Sequence, residues 1–270
     1  MNTVLLAGAD VPPIGQGTWR MGADRPAEIT ALRAGIDLGM TVIDTAELYA
    51  DGAAEEVVGQ AVRGRRDEVF LVSKVLPQNA TTEGTAAACH ASLRRLGTDR
   101  LDLYLLHWRR EVPLVETVAG LEKLHEEGSI QAWGVSNFDL HDLEDLPEGA
   151  VPACNQILYN LTRRGPEANL FPWCESVGAT IMAYSPVEKG ALLDHPDLRR
   201  VATERGATSA QVALAWSVRS RRVVAVPKAV RLAHVKENAA ALDLELTDEE
   251  LEVLDRAFPA PGVVPLETLS

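Results

Sequence analysis

The chain has 270 residues, of which 46% are hydrophobic and 24% charged, and this length and composition are close to those of one α/β barrel. Its formal net charge of −13 argues against nucleic acid as a partner, because phosphate backbones are bound by basic surfaces. The three cysteines form no Cys-x-x-Cys pair, and residues 1–13 hold no basic segment followed by a long apolar run. We therefore expect a reducing, cytoplasmic location, no signal peptide and no membrane span.

Short apolar runs alternate with longer amphipathic segments along the chain. The first feature is a small hairpin within residues 4–11, interrupted by Gly8-Ala9-Asp10, which we expect to plug the bottom of the fold. Continuous apolar runs are typical of parallel strands that are buried on both faces. Eight such runs follow and predict strands at residues 14–18, 41–44, 69–73, 101–106, 130–135, 153–157, 180–183 and 223–226.

The segments between these strands carry the signals of helix ends. Pro26 stands at an early helical position of the first one, and Gly39 follows its end, where glycine commonly caps a helix. Glycine returns after four later segments, at Gly64, Gly97, Gly128 and Gly178. Besides the helix before Gly178, we predict helices at residues 26–38, 54–63, 82–96, 114–127, 209–220, 232–242 and 248–258, and an irregular tail at 259–265.

Repeated strand–helix units predict parallel strands joined by right-handed crossovers, in either a closed barrel or an open sheet. An open sheet that binds a dinucleotide carries Gly-x-Gly-x-x-Gly after its first strand. Here no strand of a strand–helix–strand unit comes before Gly15-Gln16-Gly17, and Arg20 stands where the third glycine of the motif would be. We therefore predict an α/β protein with one domain over residues 1–270, a (β/α)8 TIM barrel with a short N-terminal β-hairpin.

Three consecutive predicted strands end in ionisable residues. Asp44 ends the second strand with Tyr49 just beyond it, Lys74 ends the third, and His107 ends the fourth. In a barrel of this kind the carboxyl ends of the strands meet at the face that carries the chemistry. Each residue alone has a structural explanation, such as a helix cap, a solvated lysine or a hydrogen-bonded histidine. The coincidence of all four on neighbouring strands favours a catalytic cluster.

These four groups suit the reduction of a carbonyl. A tyrosine hydroxyl has a pKa of about 10, and a nearby ammonium lowers it, so we expect Lys74 to lower the pKa of Tyr49. Asp44 would hold Lys74 in place and keep it charged, while His107 would orient the carbonyl oxygen. Tyr49 could then give a proton to an oxygen that gains charge as hydride reaches the carbon.

An ordered set of motifs extends from residue 14 to about residue 258. The motifs are Gly17-Thr18-Trp19, Ile43-Asp44-Thr45-Ala46 with Tyr49, Val72-Ser73-Lys74, Leu106-His107-Trp108, Gly134-Val135-Ser136-Asn137-Phe138, Asn155-Gln156, Ala183-Tyr184-Ser185-Pro186, Val226-Pro227-Lys228 and Glu237-Asn238. A single match would be weak, but the full set resembles the aldo-keto reductases. The resemblance implies an enzyme that reduces aldehydes or ketones to alcohols with NADPH, through a tetrad of Asp44, Tyr49, Lys74 and His107.

The resemblance also implies an extended cofactor site without a Rossmann domain. At the nicotinamide it implies Ser136, Asn137 and Gln156 on the carboxamide, Tyr184 stacked on the ring, and Thr18 and Trp19 nearby. Along the rest of the dinucleotide it implies Ser185 and Pro186 beside the pyrophosphate, Lys228 at the 2′-phosphate, and Glu237 and Asn238 at the adenine. Trp19 and Trp108, with Tyr49 and His107, would line the substrate pocket.

Two positions near Lys228 depart from the family pattern. Many members follow the lysine with serine and have an arginine six positions after it, whereas this chain has Ala229 and His234 there. Arg231 lies close by and is expected to replace the missing cation at the phosphate. We therefore predict that NADPH is preferred, with NADH also possible, and equal kcat/KM values for the two would contradict this.

The pattern around Lys228 and the short tail are similar to those of bacterial reductases of methylglyoxal-like dicarbonyls, so we expect a small carbonyl substrate. No exposed apolar stripe stands out along the chain, so we also expect a monomer. A metal-dependent hydrolase needs a His-x-His pair or clustered carboxylates at strand ends, and the scattered histidines predict no metal site. A Schiff-base aldolase built on Lys74 leaves Tyr49 unexplained. A cofactor-binding sensor or regulatory barrel with little turnover is the remaining alternative.

Overall fold

The structure, a computed structural model, describes residues 3–269. The hairpin comes first, with β1 (Val4–Leu6) antiparallel to β2 (Ala9–Val11). Eight strands follow, and each pairs in parallel with the next one along the chain. They are β3 (Gln16–Gly17), β4 (Val42–Asp44), β5 (Phe70–Val75), β6 (Leu101–Leu106), β7 (Ile130–Ser136), β8 (Cys154–Leu158), β9 (Thr180–Tyr184) and β10 (Val223–Ala225).

The eight-stranded sheet closes between its first and last strands. The backbone N–H of Gly15 donates to the carbonyl of Ala225 over 2.8 Å, and the N–H of Ala225 donates to the carbonyl of Pro13 over 2.8 Å. The N–H of Gly17 donates to the carbonyl of Pro227 over 3.0 Å. Because the first and last strands are hydrogen-bonded to each other, the sheet forms a barrel with no open edge between them. The predicted (β/α)8 barrel with an N-terminal hairpin is confirmed.

Helices follow the strands. They are α1 (Arg25–Asp37), α2 (Ala53–Val62), α3 (Thr82–Leu96), α4 (Leu114–Glu126), α5 (Leu140–Glu144), α6 (Leu170–Val177), α7 (Pro196–Arg205), α8 (Ser209–Ser217), α9 (Leu232–Ala240) and α10 (Asp248–Ala257). Their ends show the capping chemistry expected from sequence, such as the Thr81 hydroxyl that accepts the N–H of Gly84 in α3 and the left-handed Gly97 after it. Over residues 3–269, no helix is long and apolar enough to cross a membrane.

The predicted strands differ from the observed ones by one or two residues at most ends, and helices α5 and α7 were not predicted. One shift matters for the site. The third predicted strand stopped at residue 73, whereas β5 continues to Val75 and contains Lys74. The prediction that Lys74 ends this strand is therefore wrong by one position, and Lys74 lies inside the barrel wall rather than above it.

The apolar residues form two cores on the two faces of the barrel wall. The inner core fills the barrel and includes Val42, Val72 and Leu105, and hairpin residues Leu6 and Val11 pack against it. The outer core lies between the strands and the helices. The Thr180 hydroxyl, at the start of β9, also donates to the carbonyl of Leu5 over 2.6 Å. The hairpin therefore covers the N-terminal end of the barrel, as the sequence predicted.

Candidate active site

The polar side chains of the site occupy the last inward-facing position of several strands. Side chains two residues apart on a strand share a face, so Asp44 points inward with Val42, and Lys74 points inward with Val72. The same step leads from Leu105 to His107, from Cys154 to Gln156 and from Met182 to Tyr184. One row of inward positions therefore changes from apolar to polar at the C-terminal end of the barrel, which is where barrel enzymes carry their chemistry.

Lys74 connects the acid and the phenol of the predicted cluster. Its Nζ lies 2.8 Å from Asp44 Oδ1 and 2.9 Å from Oδ2, donates to the carbonyl of Thr45 over 2.7 Å, and donates to Tyr49 Oη over 3.1 Å. The side chain is fully buried. An ammonium has three N–H donors, and all three find acceptors here, which is the condition for burying it. The Thr45 carbonyl belongs to this site but was not predicted, because a backbone acceptor leaves no mark in the sequence.

Burial and the Lys74 ammonium act in opposite directions on the pKa of Tyr49. Burial raises the pKa of Tyr49 above its ordinary value of 10, and the opposing effect of Lys74 is smaller, while Asp44 adds to the rise. Lys74 therefore lowers this pKa, as predicted, but desolvation of the phenolate outweighs the ammonium and the net pKa is raised. Burial alone would lower the pKa of Lys74, but Asp44 and Tyr49 outweigh it and the pKa is raised. At neutral pH the pair is a phenol beside an ammonium, the proton-donating form.

His107 completes the cluster as a neutral imidazole. It follows β6, its ring centroid lies 5.8 Å from that of Tyr49, and its backbone N–H donates to the carbonyl of Val75 over 3.0 Å. Burial, with a contribution from Lys74, lowers its pKa to about 2. Its Nδ1 is buried and, within residues 3–269, has no hydrogen-bond partner. A neutral imidazole has one N–H donor, so His107 can donate to a ligand oxygen without carrying charge.

The backbone that presents Tyr49 has an uncommon conformation. Tyr49 begins a short 3-10 turn, Tyr49–Gly52, in which Ala50 and Asp51 have φ values of 50° and 52°. Side chains of L-residues are rarely accommodated there, and such strain is concentrated at functional sites. Gly52 follows at φ 88°, a conformation that favours glycine, and a Cβ on it would lie 2.6 Å from the Cδ of Arg95.

Three of the residues predicted at the nicotinamide lie directly beside this cluster. Gln156 Nε2 donates to Asp44 Oδ1 over 2.8 Å, so Asp44 lies between an amide and the ammonium of Lys74. The Ser136 hydroxyl donates to the carbonyl of Gln156 over 2.8 Å. Asn137 Nδ2 donates to Ser136 Oγ over 3.1 Å. Hydrogen bonds therefore connect these residues to the tetrad.

Tyr184 is joined to the same network. Its hydroxyl donates to Asn137 Oδ1 over 2.8 Å, and Asn137 Nδ2 also donates to the carbonyl of His107 over 3.1 Å. Burial raises the pKa of Tyr184 to about 12, so it stays a neutral phenol. Tyr184 ends β9 and is only half-buried, which leaves part of its side chain open to a ligand.

Trp19 and Arg20, which follow β3, lie against Lys189, which follows β9. Trp19 is 38% exposed, and its ring lies under Arg20 Cζ at 4.3 Å and Lys189 Nζ at 5.1 Å. Thr18 is fully buried, and its hydroxyl donates to the carbonyl of Asp44 over 2.9 Å. Trp108 is half-buried, with its ring 4.7 Å from that of His107. The two exposed cations, Arg20 and Lys189, can attract an anionic ligand to this part of the rim.

A second group of cations lies at the start of α9. Arg231 is the N-terminal cap residue of this helix, and its Nη2 lies 3.0 Å from Nε2 of His234. Lys228 is exposed nearby in sequence. Cations together with the free N–H groups of a helix N-terminus favour a phosphate. The other residues predicted for this part of the cofactor are Ala229, packed against the outer core, and Glu237 and Asn238 in α9.

The loop after His107 is anchored by a contact that the sequence did not reveal. Arg109 Nη1 lies 3.0 Å from Asp142 Oδ1 and 2.7 Å from Asp145 Oδ2. Asp142 also closes the capping box of α5, a short helix with too few residues to show a hydrophobic period. The Arg109 pair therefore fixes the chain beside Trp108. Within residues 3–269, no group of three His, Cys, Asp or Glu side chains is arranged to hold a metal ion.

The donor set fits a phosphorylated nicotinamide dinucleotide. Amide and hydroxyl groups lie beside the buried phenol, two cations lie over the Trp19 ring, and further cations stand at the start of α9. A phenol, an ammonium and a neutral imidazole around one point can stabilise and protonate an oxygen that gains negative charge. A parallel barrel with this cluster at its C-terminal rim defines an oxidoreductase of carbonyl compounds. The chain belongs to the aldo/keto reductase family, whose model matches residues 13–258.

Individual relatives agree with this assignment, and the resemblance seen in the sequence is confirmed. Methylglyoxal reductase YeaE of Escherichia coli (strain K12) is 51% identical over 262 residues, covering 93% of this chain and 92% of that one. Glyoxal reductase of Bacillus subtilis (strain 168) is 36% identical over 253 residues, covering 92% of this chain and 89% of that one. An aldo/keto reductase from Klebsiella pneumoniae, solved in complex with NADP and acetate, has 51% identity, 99% coverage of both chains and a TM-score of 0.97.

Proposed function

We propose that this enzyme reduces small dicarbonyl compounds, of the methylglyoxal and glyoxal type, to hydroxycarbonyl products with NADPH. The observation that carries the proposal is the buried Lys74 ammonium, which bridges Asp44 and the Tyr49 hydroxyl beside a neutral His107. The two relatives named for reduction of methylglyoxal and glyoxal support the substrate class. The NADP of the Klebsiella structure agrees with the cofactor predicted from sequence.

In this proposal each member of the tetrad has one task. When bound, NADPH supplies the hydride. Tyr49 gives its phenolic proton to the substrate oxygen, and Lys74 stabilises the phenolate that remains. Asp44 holds Lys74 in position and balances its charge. His107 donates a hydrogen bond to the same oxygen, and its neutral state avoids placing a second cation beside Lys74.

The other predicted residues bind and orient in this proposal. Around the nicotinamide are Ser136, Asn137, Gln156, Tyr184, Thr18 and Trp19. Along the phosphates and adenine are Ser185, Pro186, Lys228, Ala229, Arg231, His234, Glu237 and Asn238. Trp19 and Trp108 line the substrate pocket together with Tyr49 and His107. Arg231 beside His234 supports the idea that Arg231 replaces the family's arginine at the 2′-phosphate.

We further propose that residues 1–270 form one domain that acts as a monomer in the cytoplasm. The three cysteines are free and buried, which suits a reducing compartment. Size-exclusion chromatography with light scattering checks the oligomeric state. A dimer mass at micromolar concentration would contradict the monomer.

Turnover assays test the reaction. We expect the purified enzyme to oxidise NADPH with methylglyoxal and with glyoxal, and to form the corresponding hydroxycarbonyl compounds. A cofactor-binding sensor, which the relatives do not support, would bind NADPH without such turnover. Tight NADPH binding with no consumption across dicarbonyls and simple aldehydes would therefore contradict the proposal.

A further inference from the structure

The segment that follows Tyr184, residues 185–190, is here called the strap loop. Three of its residues that are not glycine, Ser185, Glu188 and Lys189, have φ values of 50°, 46° and 54°. L-residues rarely adopt this region, and a loop holds three of them only if surrounding contacts determine its shape. The contacts that hold the strap loop therefore decide whether its conformation persists.

Asn160 and Arg163 supply these contacts. The fully buried Asn160 donates through Nδ2 to the carbonyl of Ser185 over 3.0 Å and to Glu188 Oε2 over 2.5 Å. Arg163 donates through Nε and Nη2 to Glu188 Oε1 over 3.1 Å and 3.0 Å. Both Glu188 oxygens are thus bound, and Arg163 uses two of its three nitrogens on this one carboxylate.

The third nitrogen of Arg163 reaches the end of the chain. Its Nη1 donates to Glu267 Oε1 over 2.5 Å. The final described segment, residues 263–269, is here called the C-terminal segment, and Leu266 in it packs against the outer core. The N–H of Leu269 then donates to the Tyr184 hydroxyl over 3.3 Å. One guanidinium therefore joins the strap loop, which follows Tyr184 in sequence, to the C-terminal segment, which contacts the Tyr184 hydroxyl.

The charges around Arg163 make the positions of the strap loop and the C-terminal segment depend on each other. Arg163 lies between two carboxylates, those of Glu188 and Glu267, which it holds on different nitrogens. Without the guanidinium, two negative charges would face each other across the joint, and each segment would lose its fixed partner. Opening of the C-terminal segment would also remove the contact of Leu269 to Tyr184. The contact is made to the hydroxyl of Tyr184.

We propose that Arg163 is a positioning residue that couples the C-terminal segment to the strap loop, so that the C-terminal segment helps to hold the strap loop beside the bound dinucleotide and slows its release. The inference rests on the proposed function, because it takes the dinucleotide to lie beside Tyr184 and Ser185. Arg163 acts through Glu188 and Glu267 and has no part in the chemical step.

Stopped-flow displacement of NADPH, followed by its fluorescence, measures the effect. We expect Arg163→Gln to release NADPH roughly tenfold faster than the unmodified enzyme, since changes of this kind act mainly on dissociation rates. Glu267→Gln, which leaves the contact to Glu188 intact, should accelerate release by roughly threefold. Arg163→Lys should lie between the unmodified enzyme and Arg163→Gln, since one ammonium holds the two carboxylates less well. The matched control, Arg199→Gln, removes an exposed ion pair with Asp194 and should leave release unchanged.

Two further readouts separate positioning from general destabilisation. The hydride-transfer rate at saturating NADPH in a single turnover should be unchanged in Arg163→Gln and Glu267→Gln. Limited proteolysis should cut the C-terminal segment faster in both variants, and added NADPH should protect the unmodified enzyme more strongly than either. If Arg163→Gln does not fold, Glu267→Gln carries the test alone.

The outcomes distinguish this inference from the proposed function. If the unmodified enzyme does not bind NADPH, the proposed function fails and the inference with it. If it binds NADPH but Glu267→Gln and any folded Arg163 variant release it at the unmodified rate, the inference is overturned and the proposed function stands. Faster release in both variants, with an unchanged control, supports the coupling.

Discussion

The inward-facing side chains of the barrel strands are apolar at the N-terminal end of the barrel and ionisable at the C-terminal end. At the N-terminal end, Val42 and Val72 are packed with the hairpin residue Leu6, and the inner core there is apolar. Two residues further along the same strands, Asp44 and Lys74 are buried as an ion pair. The comparison teaches that one structural rule, side-chain alternation, positions a stabilising plug at one end and a reactive cluster at the other.

Burial of side chains contributes differently to stability at the two ends of the barrel. Burial of apolar hairpin side chains stabilises the fold by about 25 cal/mol for each square ångström removed from water. Burial of Lys74 and Asp44 costs desolvation free energy that their attraction only approximately offsets, so the pair contributes little to stability. We therefore expect substitutions at the two ends to separate activity from stability.

Tyr49→Phe should show the largest effect. It removes the proposed proton donor but keeps the ring, so kcat should fall by about 10²- to 10⁴-fold, the usual contribution of general acid catalysis. NADPH binding should stay close to that of the unmodified enzyme. Steady-state kinetics with methylglyoxal and a fluorescence titration with NADPH measure the two quantities. A kcat within twofold of the unmodified value would show that another group donates the proton.

Leu6→Ala probes the opposite end. It removes a fully buried side chain from the hairpin, and the free energy of unfolding should fall by about 2–5 kcal/mol. Because the hairpin lies at the far end of the barrel, kcat/KM of the folded enzyme should be retained. Denaturant titration and kinetics at low temperature check both statements. A loss of kcat/KM comparable to that of Tyr49→Phe would break the separation between the two ends.

Arg231→Ala tests the binding of the cofactor phosphate. The variant loses a cation that can form a charge-assisted hydrogen bond, so KM for NADPH should rise by roughly tenfold, while KM for NADH should change little. His234→Arg supplies the arginine common in the family and should raise the preference for NADPH. Equal changes in KM for both cofactors in Arg231→Ala would place Arg231 away from the 2′-phosphate.

His107 gives the smallest effect, on the pH dependence of stability. Burial lowers its pKa to about 2, whereas an unfolded histidine titrates near 6.5. Between these two pH values the unfolded state binds more protons than the folded state. His107 therefore does not lower the free energy of unfolding above pH 6.5, and lowers it increasingly as the pH falls below that value. Between pH 6 and pH 5 the loss should be about 1 kcal/mol. In denaturant titrations at pH 6 and pH 5, the free energy of unfolding of His107→Gln should fall by this amount less than that of the unmodified enzyme. An equal fall in both proteins would mean that His107 is protonated in the folded enzyme.

The sequence predicted much of this arrangement for a physical reason. Parallel strands are buried on both faces, so Asp44, Lys74 and His107 stand out as ionisable residues within or directly after apolar runs. Helix α7 (Pro196–Arg205) was not predicted because charged residues obscure its apolar stripe, although Pro196 and Gly206 mark its ends. The direction of the Tyr49 pKa could not be predicted, because the degree of burial is set by tertiary packing.

Contacts between residues far apart in the chain could not be predicted from the sequence either. Arg163 and Glu267 are 104 positions apart, and no local periodicity joins them. Their pairing depends on how the C-terminal segment returns to the barrel mouth. The same holds for the contact between Leu269 and Tyr184, which is made by a backbone N–H and carries no residue signature.

The most direct test of the central claim is the kcat of the double variant Tyr49→Phe/Lys74→Met beside the two single variants. If Lys74 acts on the reaction through the Tyr49 hydroxyl, Lys74→Met should lower kcat on its own and add almost nothing once that hydroxyl is gone, because residues that act as a unit are strongly non-additive. The double variant should then match Tyr49→Phe. If its loss instead equals the product of the two single losses, the phenol and the ammonium act independently, and the account of the site is wrong.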